Sequence, residues 1–215
     1  MADRYPGYDV LKKRDSVSWN DQTRRVIDRR LAIDPDAHRF FSDAEWQTMR
    51  ALCDRIVPQP PDRVHAAPVA AMIDEKLHDD SGDGYRDARL PPLREAWRRG
   101  LAAIDAEAKA RHGRRFHELT NRLQDDLLTS IQNGETNKQT WGDLPAELFF
   151  HKRLLHDIVS AYYACPTAWN EIGFGGPASP RGYVRMNFDR RDPWEAAEAY
   201  PGREDKARRE NERVG

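Results

Sequence analysis

Between Gly173 and Pro180 this chain places three glycines and two prolines. Glycine favours backbone angles that other residues avoid, and proline removes an amide donor. The run therefore suits neither a helix interior nor a central strand. The longer stretch from Tyr162 to Tyr183 begins as the end of a helix. It carries Trp169, Ile172, Phe174 and Tyr183, side chains that a solvated linker does not need. Disordered segments are depleted in aromatics, and long structureless segments in compact proteins are commonly functional. The stretch is expected to hold one fixed shape, packed on its own domain or on another protein. Gly175 is expected at a positive φ, which a β-branched residue cannot readily take.

The 215 residues suit one domain with appended arms. A composition 39% hydrophobic and 33% charged supports a core under much polar surface. Thirty-five basic and 36 acidic residues leave a net charge of -1, so no global field draws in nucleic acid or an anionic membrane. No apolar run approaches the length of a membrane helix. The pairs Arg24-Arg25 and Arg29-Arg30 are followed by segments too short and too charged for a signal sequence. Cys53 and Cys165 make neither a disulfide framework nor a metal site. A cytoplasmic location is expected.

Helical periodicity fills the middle of the chain. Asn20 or Asp21 is expected to cap a short helix through Gln22–Ala32. Ser42-Asp43-Ala44-Glu45 reads as a capping box, followed by Trp46, Met49, Cys53 and Ile56 at helical spacing as far as Pro58. A rigid turn is expected at Gln59-Pro60-Pro61-Asp62. A second helix from Pro68 presents Val69, Met72, Ile73 and Leu77. A third, after Pro91-Pro92, carries Leu93, Ala96, Trp97, Leu101, Ile104 and Ala108 and ends at His112-Gly113. Leu123, Leu127, Leu128 and Ile131 form the next face. The last long helix follows Asp143-Leu144-Pro145 and is apolar on more than one side, from Phe149 to Tyr163. The expected fold is all-α, an irregular bundle of about five main helices with a long Gly/Pro-rich C-terminal loop and extended charged arms. The expected organisation is an N-terminal arm at 1–38, a helical domain at 39–184 and a charged tail at 185–215.

Catalytic patterns are missing. His112/His117 and His151/His156 are five apart and point in different directions. Of the seven histidines only His78 has a Glu three residues before it (Glu75), so the paired Glu-x-x-His pattern of a di-iron bundle is missing. Glu147 and His151 read as a surface pair. Gly173-Phe174-Gly175-Gly176 runs into Pro177 rather than a helix start, so it is not a nucleotide fingerprint. No catalytic, cofactor-binding or metal-ligating residue is expected. Interfaces favour aromatic and arginine side chains held in shape beforehand. The expected partner-binding residues are Trp169, Asn170, Ile172, Phe174, Gly175, Gly176, Pro177, Pro180, Arg181 and Tyr183. The competing expectation is that Trp169 and Phe174 fill their own bundle.

The order of motifs resembles the gluconate 2-dehydrogenase subunit 3 family over roughly residues 40–184. The matching pieces are Phe40-Phe41-Ser42 with Glu45, Cys53-Asp54-Arg55-Ile56-Val57-Pro58, Ala71-Met72-Ile73-Asp74, and Gly100-Leu101 with Ile104-Asp105. Phe116 with Leu119, Leu127-Leu128 with Ile131, and Tyr163 through Gly182 continue the series. The resemblance implies a non-catalytic helical small subunit. It implies a large-subunit partner, an FAD-dependent oxidoreductase of the glucose-methanol-choline (GMC) type that acts on sugars, sugar acids or polyols. FAD is then expected in that partner and no cofactor in this chain. Exported members begin with a twin-arginine signal, which this sequence lacks. That favours a cytoplasmic complex, periplasmic only if the partner carries the signal. The arms before Phe40 and after Met186 exceed the family core. The alternative expectation is a self-contained helical enzyme or small-molecule-binding protein with a pocket under the glycine-rich loop.

Overall fold

The computed structural model describes residues 3–60, 63, 65–85, 87–183 and 190–214. The turn expected at 59–62 and the domain end expected at 184 fall partly or wholly outside them. Ten α-helices and no strand occur among the described residues. In chain order they are α1 (Asp21–Leu31), α2 (Asp43–Ile56), α3 (Val69–His78), α4 (Leu93–His112) and α5 (Asn121–Gln132). Then come α6 (Lys138–Trp141), α7 (Ala146–Phe149), α8 (His156–Ala164), α9 (Pro166–Ile172) and α10 (Glu204–Asn211). The class is all-α, as expected. No helix among the described residues is long and apolar enough to cross a membrane.

The chain divides into two compact units, residues 34–162 and residues 1–33 with 163–215. This differs from the sequence expectation of a helical domain at 39–184 flanked by separate arms. The division falls within α8, and the last helix, the glycine-rich loop and both arms share one unit.

The unit 34–162 is built on local helix signals and closed by a few buried polar groups. Ser42 and Glu45 make both hydrogen bonds of the capping box at the start of α2, and Arg98 binds the same Glu45 carboxylate. Trp46, Met49, Leu52 and Cys53 line its buried face. In α4, Gly100 lets Phe149 approach, since a Cβ there would lie 2.1 Å from the ring. The Phe149 ring meets Trp97 edge-on with centroids 5.8 Å apart. Gly113, in the left-handed region at φ 71°, ends α4 as its glycine signal predicts.

Asp74 reaches back thirty-odd residues. Its carboxylate, 2% exposed, accepts the backbone N–H groups of Arg39 (2.6 Å), Phe40 (3.0 Å) and Phe41 (2.9 Å). It thereby fixes the approach to α2. A second buried carboxylate, Glu107, accepts the N–H of Asn137 and pairs with Arg111 at 3.1 Å.

Between α7 and α8, residues Phe150–Leu155 form a π-helical segment. Phe149, Phe150, Arg153, Leu154, Asp157 and Ile158 are all buried. Four residues exceed one 3.6-residue turn, so repeated steps of four drift round an α-helix. The wider i→i+5 turn takes up that excess and keeps these pairs on one side. This is the physical basis of the doubly apolar pattern in the sequence.

In the other unit, Asn20 caps α1 by accepting the N–H of Thr23 at 2.9 Å. Of the apolar residues Val26, Ile27 and Leu31 in α1, only Ile27 is buried, while Val26 and Leu31 remain exposed. The core joins Tyr8, Val10, Trp19, Ile27, Trp169 and Val214. The tail, read from sequence as a charged extension, carries α10. Buried Asn211 holds it by accepting the N–H of Ala197 (2.6 Å) and donating to the carbonyls of Pro6 (3.0 Å) and Ala197 (2.9 Å).

Candidate functional site

The Tyr162–Tyr183 stretch contains a helix that the sequence reading did not foresee. Pro166 occupies the first turn of α9, where its missing N–H costs nothing. Gly173 ends α9 at φ 64°, and a Cβ there would lie 2.5 Å from the Tyr5 ring. Gly176 sits at φ 68°, with Val10 2.9 Å from the position of a Cβ. The left-handed residues of the Gly173–Gly176 run are therefore Gly173 and Gly176, not Gly175 as expected. At Gly175 the constraint is proximity to the Lys13 ammonium, 3.2 Å from a would-be Cβ.

The N-terminal arm braces this loop. Val10 N–H donates to the Asn170 side chain (2.9 Å), Tyr8 Oη to the Phe174 carbonyl (3.1 Å), and Lys13 Nζ to the Gly175 carbonyl (3.1 Å). Asn20 N–H donates to the Ser179 carbonyl at 2.7 Å, and Arg181 Nε to Ser18 Oγ at 3.1 Å.

Against the loop lies an open cleft of about 830 Å³. Phe174, Gly175, Gly176, Arg181 and Tyr183, all expected site residues, line it. The others stand elsewhere. Trp169 is 3% exposed in the unit's own core, its Nε1 donating to the Tyr163 carbonyl at 2.6 Å. Asn170 braces Val10, Ile172 is exposed outside the cleft lining, and Pro177 and Pro180 are likewise not in it. The sequence reading missed the rest of the lining, which includes Tyr5 of the arm and Trp194, Tyr200 and Arg203 of the tail. Their only sequence signal was aromatic residues inside otherwise charged arms.

Charge is unevenly distributed around the cleft. The Arg181 guanidinium stacks over the Trp194 ring at 4.5 Å. Glu198 is paired with Arg4 at 2.6 Å, and Glu210 with Arg191 at 3.1 Å. Lys13 is fully buried. Burial, and then repulsion from Arg181, pulls its ammonium down from 10.5 to about 8. Between these values the unfolded chain binds a proton that the folded one lacks, so stability rises with pH across that window. One pKa unit corresponds to about 1.4 kcal/mol, which makes the rise about 3 kcal/mol between pH 8 and 10.5. Denaturant unfolding of wild type and Lys13→Met over that range checks it. The variant is expected to lack this increment, and parallel profiles would refute the assignment.

In the unit 34–162, Asp83, His156 and Asp157 bring their ligand atoms within 4.8 Å of one another. This grouping spans residues far apart in sequence, so spacing could not reveal it. Lys76 lies 2.6 Å from Asp83, and Arg153 stands 3.6 Å from Asp83 and 3.7 Å from Asp157. Burial raises the Asp83 carboxyl, but the Lys76 hydrogen bond and the charges of Lys76, Arg153 and His156 together outweigh it, and the net shift is downward. These cations already supply the countercharge that a metal would bring. Trp97 Nε1 donates to Asp157 at 2.9 Å, which ties the cluster to the aromatic core.

The family model for gluconate 2-dehydrogenase subunit 3 matches residues 43–176, more than half of the chain. The chain belongs to this family. No curated relative and no solved structure matched it. The family match begins at Asp43, inside the expected resemblance, and stops at Gly176. It therefore includes α9 and the first part of the glycine-rich loop. Arg181, Tyr183 and the wall from Trp194 to Arg203 lie beyond it. The cleft thus combines a family segment with residues from this chain's own arms.

Proposed function

We propose that this chain is a non-catalytic accessory subunit that binds and steadies an FAD-dependent dehydrogenase of the GMC type, acting on sugars, sugar acids or polyols. Membership of the gluconate 2-dehydrogenase subunit 3 family carries this reading. The exposed aromatics Phe174, Tyr183 and Tyr200, in a unit with a buried core of its own, support it, since such side chains favour interfaces. FAD belongs to the partner, and the balanced charge argues against nucleic acid. The compartment we propose for the complex is the cytoplasm.

Co-expression with an FAD-dependent dehydrogenase large subunit from the same genome tests the reading. The expected result is a flavin-containing complex on size exclusion, with the isolated chain colourless and inactive. Stoichiometric flavin, haem or metal in the isolated chain, together with turnover, would overturn it. Fractionation of cells expressing the pair tests the compartment, where a periplasmic pool contradicts the cytoplasmic placement.

The cleft favours a second reading, small-molecule binding under the glycine-rich loop, because its volume falls within the range of ligand pockets. Calorimetric titration of the isolated chain with gluconate separates the two. The accessory reading expects no saturable binding.

A further inference from the structure

We infer that the cleft beside the glycine-rich loop is where the dehydrogenase subunit docks, through an extended segment bearing carboxylates beside apolar or aromatic side chains. This rests on the accessory-subunit reading and adds the surface and the chemistry of its partner.

Two cations of the cleft lining, Arg181 and Arg203, have no salt bridge among the described residues. Arg181 is held by the Ser18 hydroxyl and the Trp194 ring. Arg203 lines the cleft, and its guanidinium has no ion pair among the described residues. The neighbouring acids Glu198 and Glu210 are already committed to Arg4, Arg191 and Lys206. An entering carboxylate therefore meets the guanidinium groups of Arg181 and Arg203.

Tyr183 is 71% and Tyr200 60% exposed, and both line the cleft with Phe174. A macromolecular polyanion is a poor fit, because a net charge of -1 supplies no wider positive field. A protein segment with a few carboxylates and an aromatic side chain matches both features.

Two substitutions test this without unfolding the unit. Arg203 stands at the N-cap position of α10, where negative charge suits the helix dipole, so Arg203→Glu is expected to fold. Tyr183→Ala removes a mostly exposed ring. The probe is the purified FAD-loaded dehydrogenase subunit, with affinity read by interferometry at low and high salt and melting temperature read in parallel. Each variant is expected to weaken binding about tenfold or more. Salt should weaken wild type more than Arg203→Glu. Tyr85→Ala, 78% exposed and not in the cleft lining, should bind as wild type. Unchanged affinity in both cleft variants overturns the docking assignment while leaving the accessory reading in place. So does equal loss in Tyr85→Ala. If wild type itself forms no complex, the accessory reading fails first and this inference falls with it. Tight gluconate binding by the isolated chain, abolished in Arg203→Glu, would reassign the cleft to a small molecule and also overturn the proposal.

Discussion

Trp169→Ala lowers the stability of the chain by about 3–5 kcal/mol, the usual cost of emptying a large aromatic from a core. The ring is 3% exposed and packs with Tyr8, Val10, Trp19, Ile27 and Val214. It also meets the Phe174 ring edge-on, with centroids 5.6 Å apart, and its Nε1 hydrogen bond to the Tyr163 carbonyl is lost with it. Denaturant unfolding followed by circular dichroism measures the change. Amide exchange in residues 173–183 should accelerate, because α9 and the arm that brace the loop meet at this ring. A loss below about 1 kcal/mol, within the range of ordinary substitutions, would show that Trp169 is not a core residue. The contrast with Tyr183→Ala is informative. Both aromatics read alike in sequence, but only the buried one should carry such a cost, and exposed positions usually stay within about 0.5 kcal/mol.

Asp74→Ala is expected to cost a similar amount by a different route. It leaves the N–H groups of Arg39, Phe40 and Phe41 facing a buried space without an acceptor. Each buried donor left unsatisfied costs about 1–3 kcal/mol. Partial relaxation of the three together suggests a loss of about 3–5 kcal/mol, with faster amide exchange at residues 39–41. Asp74→Asn keeps one acceptor oxygen and should fall between wild type and Ala. Equal stability of the Asn variant and wild type would mean that a single oxygen suffices and the charge contributes little.

The sequence by itself determined what short-range physics determines. Helical periodicity and end signals act within a few residues, so the Ser42/Glu45 box, the Asn20 cap and the Gly113 stop were all legible. The family motifs were legible too, because they recur as short strings in a set order. Tertiary structure decided the rest. Nothing near Asp74 in sequence indicates that its carboxylate serves residues 39–41. Nothing near Val10 indicates Asn170 as its partner. The glycine-rich loop showed that it must be held, and it took the folded chain to show that both arms hold it. Helix α9 was hidden because Pro166 and Gly173 bracket only seven residues, too few for a periodic pattern to emerge. The cleft was hidden for a related reason. Phe174 and Arg181 lie near each other in the chain, but Tyr5, Trp194 and Arg203 are remote from them. Which aromatics became core and which stayed exposed, Trp169 against Tyr183, depended on which surfaces the two arms covered. That is a global property of packing, and no local window encodes it.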